Sequence, residues 1–327
     1  MRIATFNLEN LGGDRPAVEL EERVRVLRPQ LDRLHADVLC LQEVNAARKS
    51  KNEQRQTYAL DELLKGTGFE DFQQATSVKP GTSALADRHN LVTLSRWPIL
   101  DQQQCFHDKV LPPVSTYAMA NPRRTGATSL KWDRPILYVK LDTPAGPLHV
   151  LNLHLRAPLA SAIPGQKHSQ FKWNTVSGWA EGFYISAIKR SGQALEARMI
   201  VDEIFDNDEE AKIAVTGDFN AEMRETPFKI LSGNVEDTGN GDLAARSLVP
   251  VERSLPENRC FSIIHAGRHI MLDHILVSRG LLANYKNVEV HNETLADEFV
   301  GYATGVADPG THHAPVVAEF NSREVTS

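Results

Sequence analysis

The 327-residue chain is 41% hydrophobic and 24% charged, with a formal net charge of −6, the composition of an ordinary globular protein. That acidic balance excludes a protein that coats nucleic acid by bulk electrostatics, and no apolar run approaches the roughly 20 residues that a membrane-spanning helix needs. Three scattered cysteines, Cys40, Cys105 and Cys260, read as free thiols of a reducing cytoplasm rather than a disulfide framework.

Residues 2–8 read as a strand running straight into a polar residue, with no basic and then apolar leader ahead of it. From Val18 to Leu34, apolar Val18, Leu20, Val24, Leu27, Leu31 and Leu34 recur at helical spacing, acids early and arginines after them, as the helix dipole prefers. Residues 37–43 are a short buried strand ending in Glu43, and a second helix is expected over 56–65. Beyond residue 68 short strands divided by Pro and Gly take over, clearest at 91–95, 136–141 and 148–154, with a hairpin signal at 144–147. Residues 157–178 form a surface excursion, and 180–205 a long helix with Ile185, Ile188, Leu195, Met199 and Ile200 on one side. A buried strand over 212–218 ends at Asp218, and a short helix follows with Thr226 as N-cap and Pro227 in its first turn. Strands at 260–265, 270–277 and 316–320 complete the series. Alternating strands with helices packed outside imply one α/β domain over 1–322, two facing sheets flanked by helices, followed by a short tail over 323–327.

Charge is unevenly placed. Between residues 113 and 190 stand ten Lys/Arg against three Asp/Glu, together with Trp132, Trp173 and Trp179. Basic groups neutralise backbone phosphates and aromatic faces stack bases, so this stretch suits a loop facing nucleic acid. Solvated lysines over core-anchored tryptophans would give the same pattern.

Six segments carry the chemistry: Phe-Asn-Leu (6–8), Leu-Gln-Glu-Val (41–44), Asn-Leu-His (152–154), Gly-Asp-Phe-Asn (217–220), Leu-Asp-His-Ile (272–275) and His-His-Ala-Pro-Val (312–316). Hydrolysis of a phosphodiester needs hard oxygen ligands for Mg²⁺ or Mn²⁺, donors toward the phosphate and a base for the attacking water. Glu43, ending a buried apolar strand, is costly there without a cation; Asn7 is an uncharged ligand or orienting group. Asp218 and Asn220 flank Phe219 and point the same way if the segment is extended. His154 can donate to a non-bridging oxygen. Asp273, between apolar neighbours, orients an imidazole, for which His313 is the expected partner, while His274 alternates to the other side as a structural residue.

These motifs together resemble the endonuclease/exonuclease/phosphatase superfamily of deoxyribonuclease I-like and exonuclease III-like nucleases, inositol-phosphate phosphatases and sphingomyelinases. Residues 95–99, Ser-Arg-Trp-Pro-Ile, also resemble a strand of that family. The resemblance implies a four-layered α/β sandwich of two facing mixed sheets, DNase I-like, with its site at one edge. It places Asn7 and Glu43 at the metal and His154 on the scissile phosphate. Asp218 and Asn220 would position nucleophile and phosphate, and Asp273 would pair with His313 as general base or phosphate contact. Arg156, next on the strand side of His154, is a weaker phosphate contact. The family's closing Asp-His is here His312-His313. A histidine at that metal position removes a negative charge and favours Mn²⁺ over Mg²⁺, and Asp308 is the carboxylate nearest in sequence to replace it.

The expected function is metal-dependent hydrolysis of phosphodiesters, of nuclease type, with nucleic acid as partner and no obligate protein partner. Hydrolysis of a small phosphorylated molecule or lipid head group is the alternative. A silent phosphate-binding relative is the reading from another class, for which only His312 speaks.

Overall fold

Strand, helix and strand open the molecule where the periodicity puts them. In the computed structural model, which describes residues 1–13, 18–169, 172–233, 238–305 and 308–321, β1 is Arg2–Leu11, α1 Leu20–Leu34 and β2 Val38–Val44. The crossover through α1 lets β1 and β2 run parallel, with Ile3 beside Val38 and Asn7 beside Gln42. Helix α2 (Tyr58–Leu64), β3 (Gln73–Thr76) and β4 (Asn90–Ser95) follow, then β5 (Ile99–Cys105), the short ribbon β6 (Val114–Ser115) with β7 (Thr128–Ser129), β8 (Ile136–Thr143) and β9 (Gly146–His154). The β8–β9 hairpin turns where the Pro-Ala-Gly-Pro signal lies, Thr143 pairing Gly146. Next come α3 (Val176–Asn207), β10 (Lys212–Asp218), α4 (Thr226–Ser232), β11 (Val249–Pro250), the ribbon β12 (Ile263–His265) with β13 (Arg268–Ile270), and β14 (Asp273–Val277). Two short helices, α5 (Arg279–Leu282) and α6 (Glu298–Thr304), alternate with β15 (Tyr285–Val290) and β16 (Val316–Phe320). The tail expected over 323–327 lies outside the described residues.

The strands form two six-stranded mixed sheets, in the orders β15-β16-β1-β2-β4-β3 and β11-β14-β10-β9-β8-β5. Most buried apolar side chains fall into three seams that define four layers. Ile3, Val38 and Val316 meet Val139, Val150 and Ala214 between the sheets. Leu27, Leu31 and Leu60 cover the outside of the first sheet, and Ala197, Val201 and Phe228 cover the second. This is the sandwich that the resemblance implies.

A polar clasp interrupts the central seam. Asn152 on β9 accepts from Gln42 Nε2 at 2.8 Å and donates to the carbonyls of Leu41 and Val92 at 3.2 and 3.0 Å. Thr5 joins it through Gln42. Buried amides are tolerated because every arm finds a partner, on its own sheet or across the gap. Gln42 and Asn152, each a neighbour of a site residue in its motif, thus fasten the sheets.

Two local expectations are corrected, and one alternative left open is decided. On α3, Leu195 and Met199 are 42% and 38% exposed; small Ala194 and Ala197 bring the axis close to the sheet, so the buried stripe runs through them and Val201. The N-cap of α4 is Glu225, one residue before Thr226, because Pro227 already fits the first turn with Thr226 inside it. Trp132 is buried, its Nε1 donating to the buried Glu196 at 2.7 Å; of the three tryptophans in the basic stretch only Trp179 is well exposed, at 44%. Among the described residues no helix is long and apolar enough to cross a membrane.

Candidate active site

Register assembles the site. Parallel pairing of β9 and β10 sets Asp218 beside His154, and antiparallel pairing of β10 and β14 sets Asp218 beside Asp273. The step into Asp218 requires a glycine: Gly217 has φ +135°, and a Cβ there would stand 1.9 Å from the Leu153 carbonyl oxygen. From the facing sheet, Asn7 Nδ2 donates to Asp218 Oδ2 at 3.0 Å and reaches Glu43 Oε1 at 3.5 Å. Glu43 Oε2 accepts the Asn10 backbone N–H at 3.0 Å. His154 Nε2 lies 3.4 Å from Asp218 Oδ2 and 3.7 Å from Glu43 Oε1. Asn7, Glu43, His154 and Asp218 are therefore one contiguous group.

Asn220 also joins it, by a route other than the extended one expected. Its φ of 48° turns the chain back, so its N–H donates to Asp218 Oδ1 at 2.9 Å and its Nδ2 to Asp218 Oδ2 at 3.1 Å. Arg190, from α3, holds the Asn220 carbonyl. The expected pairing of Asp273 with His313 is present, Oδ2 to Nδ1 at 2.8 Å. His274 is fully buried, bonded to the Ala221 carbonyl at 2.9 Å and packed on Phe219 and Phe228, a structural residue as expected.

The electrostatics follow from burial. Burial, with Asp273 adding to it, pushes the Asp218 carboxyl up to about 7. Burial opposes the charge on His313, but Asp273 outweighs it and raises the imidazolium to about 10. His154 is held well below its ordinary value by burial, then by Arg134 and His89, and is neutral. Asp273 Oδ1 is buried with no hydrogen-bond partner. Orphaned carboxylate oxygen and a forced-up carboxyl mark a place short of positive charge, and hard oxygen donors on Glu43, Asp218 and Asp273 suit a divalent cation. Two groups of ligand atoms lie within 4.8 Å of one another: Glu43, His89 and His154, and Asp218, Asp273 and His313.

His312 stands apart from both. Its Nδ1 and its backbone N–H each lie 2.9 Å from Glu9 Oε2. The hydrogen bond to Glu9 raises His312; Glu9, against the pull of burial, falls to about 2. Asp308 turns to its own loop, accepting the Gly310 N–H at 2.7 Å. Arg156 pairs with Asp133 at 2.7 Å, as Lys189 does at 3.1 Å, and makes no contact with Asp218 or His154 among the described bonds.

Four residues of the site were not visible in the motifs: Glu9, Arg23, His89 and Arg134. Arg23, largely buried on α1, donates to the carbonyls of Leu8, Glu9 and Gly310 at 2.7, 2.8 and 2.9 Å and so shapes the turn after Asn7. Arg134, just before β8, approaches His89 Nδ1 with Nη2 at 2.6 Å. Glu9, Asn10, Glu43, His89 and Asn220 all carry positive φ, a clustering of backbone strain typical of functional sites. Only Arg134-Pro135 ahead of an apolar strand offered a signal.

The profile of the Endonuclease/Exonuclease/phosphatase family matches residues 4–293. No curated protein matches the chain. Among solved structures, a 3′ phosphatase from Neisseria bound to product DNA hairpin is 18% identical, with 98% of this chain and 99% of that one covered at a TM-score of 0.53. An AP endonuclease from Archaeoglobus fulgidus is 14% identical over 98% and 99%, TM-score 0.52. An endonuclease/exonuclease/phosphatase from Bacteroides vulgatus is 15% identical over 98% of each, TM-score 0.57. At such identities the likeness establishes the fold, a DNase I-like sandwich.

Proposed function

Since the chain belongs to the endonuclease/exonuclease/phosphatase family, we propose that it is a divalent-metal-dependent phosphoesterase cleaving phosphodiesters of nucleic acid by in-line attack of water. The observation that carries this reading is Asp218, pushed to about 7 beside Asp273 and clasped by the amides of Asn7 and Asn220. A base near the working pH is what proton removal from water asks for.

Asp218 takes the proton of the attacking water, and Asn220 orients that water and the phosphate. His313, a cation held by Asp273, pairs with a non-bridging oxygen, which favours phosphate contact over general base for this residue. His154 offers Nε2–H to a second oxygen. Glu43 would hold the cation, and Asn7, whose Nδ2 donates to Asp218 and whose Oδ1 accepts the Glu9 N–H at 2.9 Å, would align the carboxylates around it; His312 is bound to Glu9 instead. Bound there, Mg²⁺ or Mn²⁺ would offset the charge gathering on the phosphoryl oxygens. Arg156 reaches a phosphate only by exchanging Asp133 for it, an outlying role.

Hydrolysis of bis(p-nitrophenyl) phosphate and of a fluorescent oligonucleotide, each in EDTA, Mg²⁺ and Mn²⁺, tests this. Metal-dependent cleavage of the oligonucleotide is expected, with Asp218→Asn and His313→Ala each losing at least about 10²-fold. The net charge of −6 and the burial of Trp132 favour the second reading, a small phosphorylated molecule or lipid head group, which cleavage of the small ester alone would support. Silence with every metal would leave a phosphate-binding relative.

A further inference from the structure

The grouping of Glu43, His89 and His154 has the composition of a site for a transition ion. The hydrogen bonds of His89 contradict that use. Arginine carries five donors and no acceptor, so Arg134 Nη2, 2.6 Å from His89 Nδ1, can only donate to it. The Nδ1 lone pair is therefore engaged, and the proton of the neutral ring sits on Nε2. That Nε2 donates to Asn10 Oδ1 at 2.9 Å and faces Glu43 Oε2 at 3.8 Å. A metal ligand needs its lone pair where this ring holds a hydrogen.

Resting on the phosphoesterase reading, we propose that His89 is a hydrogen-bond donor to the substrate phosphoryl group, set in its Nε2–H form by Arg134, and not a metal ligand. The geometry around it suits an incoming anion. The His89 ring lies parallel to that of His154, 11° apart with centroids 6.0 Å distant, so two Nε2 atoms flank the Glu43 carboxylate from neighbouring positions. Arg134 Nη1 is buried with no acceptor, a further donor lacking an oxygen. Asn10 is exposed at the rim, and its amide oxygen is the placeholder that a phosphate oxygen displaces. His89 itself sits at φ 58°, a strained backbone held for the sake of where the ring points. Arg134 acts through His89 and is a positioning residue.

The test uses the full chain with ¹⁵N-labelled histidine, plus calorimetric titration of Mg²⁺ and, separately, of inorganic phosphate. In the metal-free protein the His89 ring should show a protonated Nε2 and a bare Nδ1, unchanged when Mg²⁺ is added. His89→Ala should weaken phosphate binding about 10- to 100-fold, the scale of a hydrogen bond to a charged group, and leave Mg²⁺ affinity within about 2-fold. His89→Gln, whose amide nitrogen falls near the position of Nε2, should restore most of the phosphate binding. Arg134→Met should let the ring populate its other tautomer without altering Mg²⁺ affinity. A ring protonated on Nδ1 in the wild type, or Mg²⁺ affinity falling about 10-fold or more in both His89 variants, would overturn the proposal. Failure of the phosphoesterase reading shows separately, as a wild-type protein that binds phosphate and hydrolyses no ester.

Discussion

Raising the pH should loosen the metal-free protein, and a divalent cation should restore more stability at pH 8 than at pH 5. Asp218 is pushed from 3.8 to about 7, by burial first and Asp273 second. A carboxyl whose folded pKa lies above its unfolded value binds more protons folded than unfolded, so stability falls as pH climbs from about 4 to about 7. At about 1.4 kcal/mol per pH unit, that rise bounds the loss at about 4 kcal/mol. Unfolding entropy near 2.1 cal/mol/K per residue converts the bound to roughly 6 °C of Tm for a chain of this length. His313 acts in the same sense: raised to about 10 by Asp273 against burial, it contributes stability complete below about 6.5 and lost as pH rises through 10. Glu252, fully buried and pushed to about 8 chiefly by that burial, adds a slope of the same sign in both conditions. Scanning fluorimetry in EDTA and in Mg²⁺, from pH 5 to 8, therefore isolates the site as the difference between the two melting curves. The metal-induced rise in Tm should grow with pH in the wild type and stay small and level in Asp218→Asn. An equal rise at pH 5 and pH 8, or a variant with the wild-type pH dependence, would refute the charge balance drawn for the site.

Three further outcomes are expected. Gly217→Ala, which drives a Cβ to 1.9 Å from the Leu153 carbonyl oxygen at φ +135°, should cost about 3 kcal/mol or more in urea unfolding; wild-type stability would show that the strand step does not need its glycine. Asn152→Leu strips partners from Gln42 and from two carbonyls and should cost about 2–4 kcal/mol, with a loss of kcat that His154, two residues on, transmits without a shift in the pH profile. Trp179→Ala removes the exposed ring stacked on Phe183 at 5.5 Å. It should weaken oligonucleotide cleavage about 10-fold and leave cleavage of bis(p-nitrophenyl) phosphate alone; equal loss on both would assign the ring to the fold.

The parts of this site that could be read from the residues are those where a strand delivers a polar group at its end. Glu43 after an apolar run, His154 after Val-Leu-Asn-Leu, and Asp218 after Ala-Val-Thr-Gly all announce themselves by the cost of burying them. Asp273, a carboxylate between apolar strand neighbours, was expected to orient His313, and the 2.8 Å bond agrees. Loops hid the rest. His89 and Glu9 owe their positions to positive φ, which no side-chain pattern encodes, and Arg134 earns its role only when β8 and the loop before β4 meet. Arg156 was projected along the line of β9, yet β9 ends at His154 and Asp133 captures the guanidinium. Whether Trp132 is exposed or core-anchored could not be read from the residues, because a buried acceptor such as Glu196, 64 positions later, leaves no mark near it.

Arg23 bears on when this protein can act during its own synthesis. The guanidinium ties Leu8 and Glu9 to Gly310, and Thr311 Oγ1 bonds the Asn7 carbonyl 304 positions away. At about 5–20 residues per second, the ribosome would deliver that second half of the clasp roughly 15 s or more after the first. Until then Asn7 has no fixed direction and His313 does not exist. A nascent chain in that interval carries most of the carboxylates and none of the finished geometry, so whatever chemistry the site performs waits for release of the completed chain.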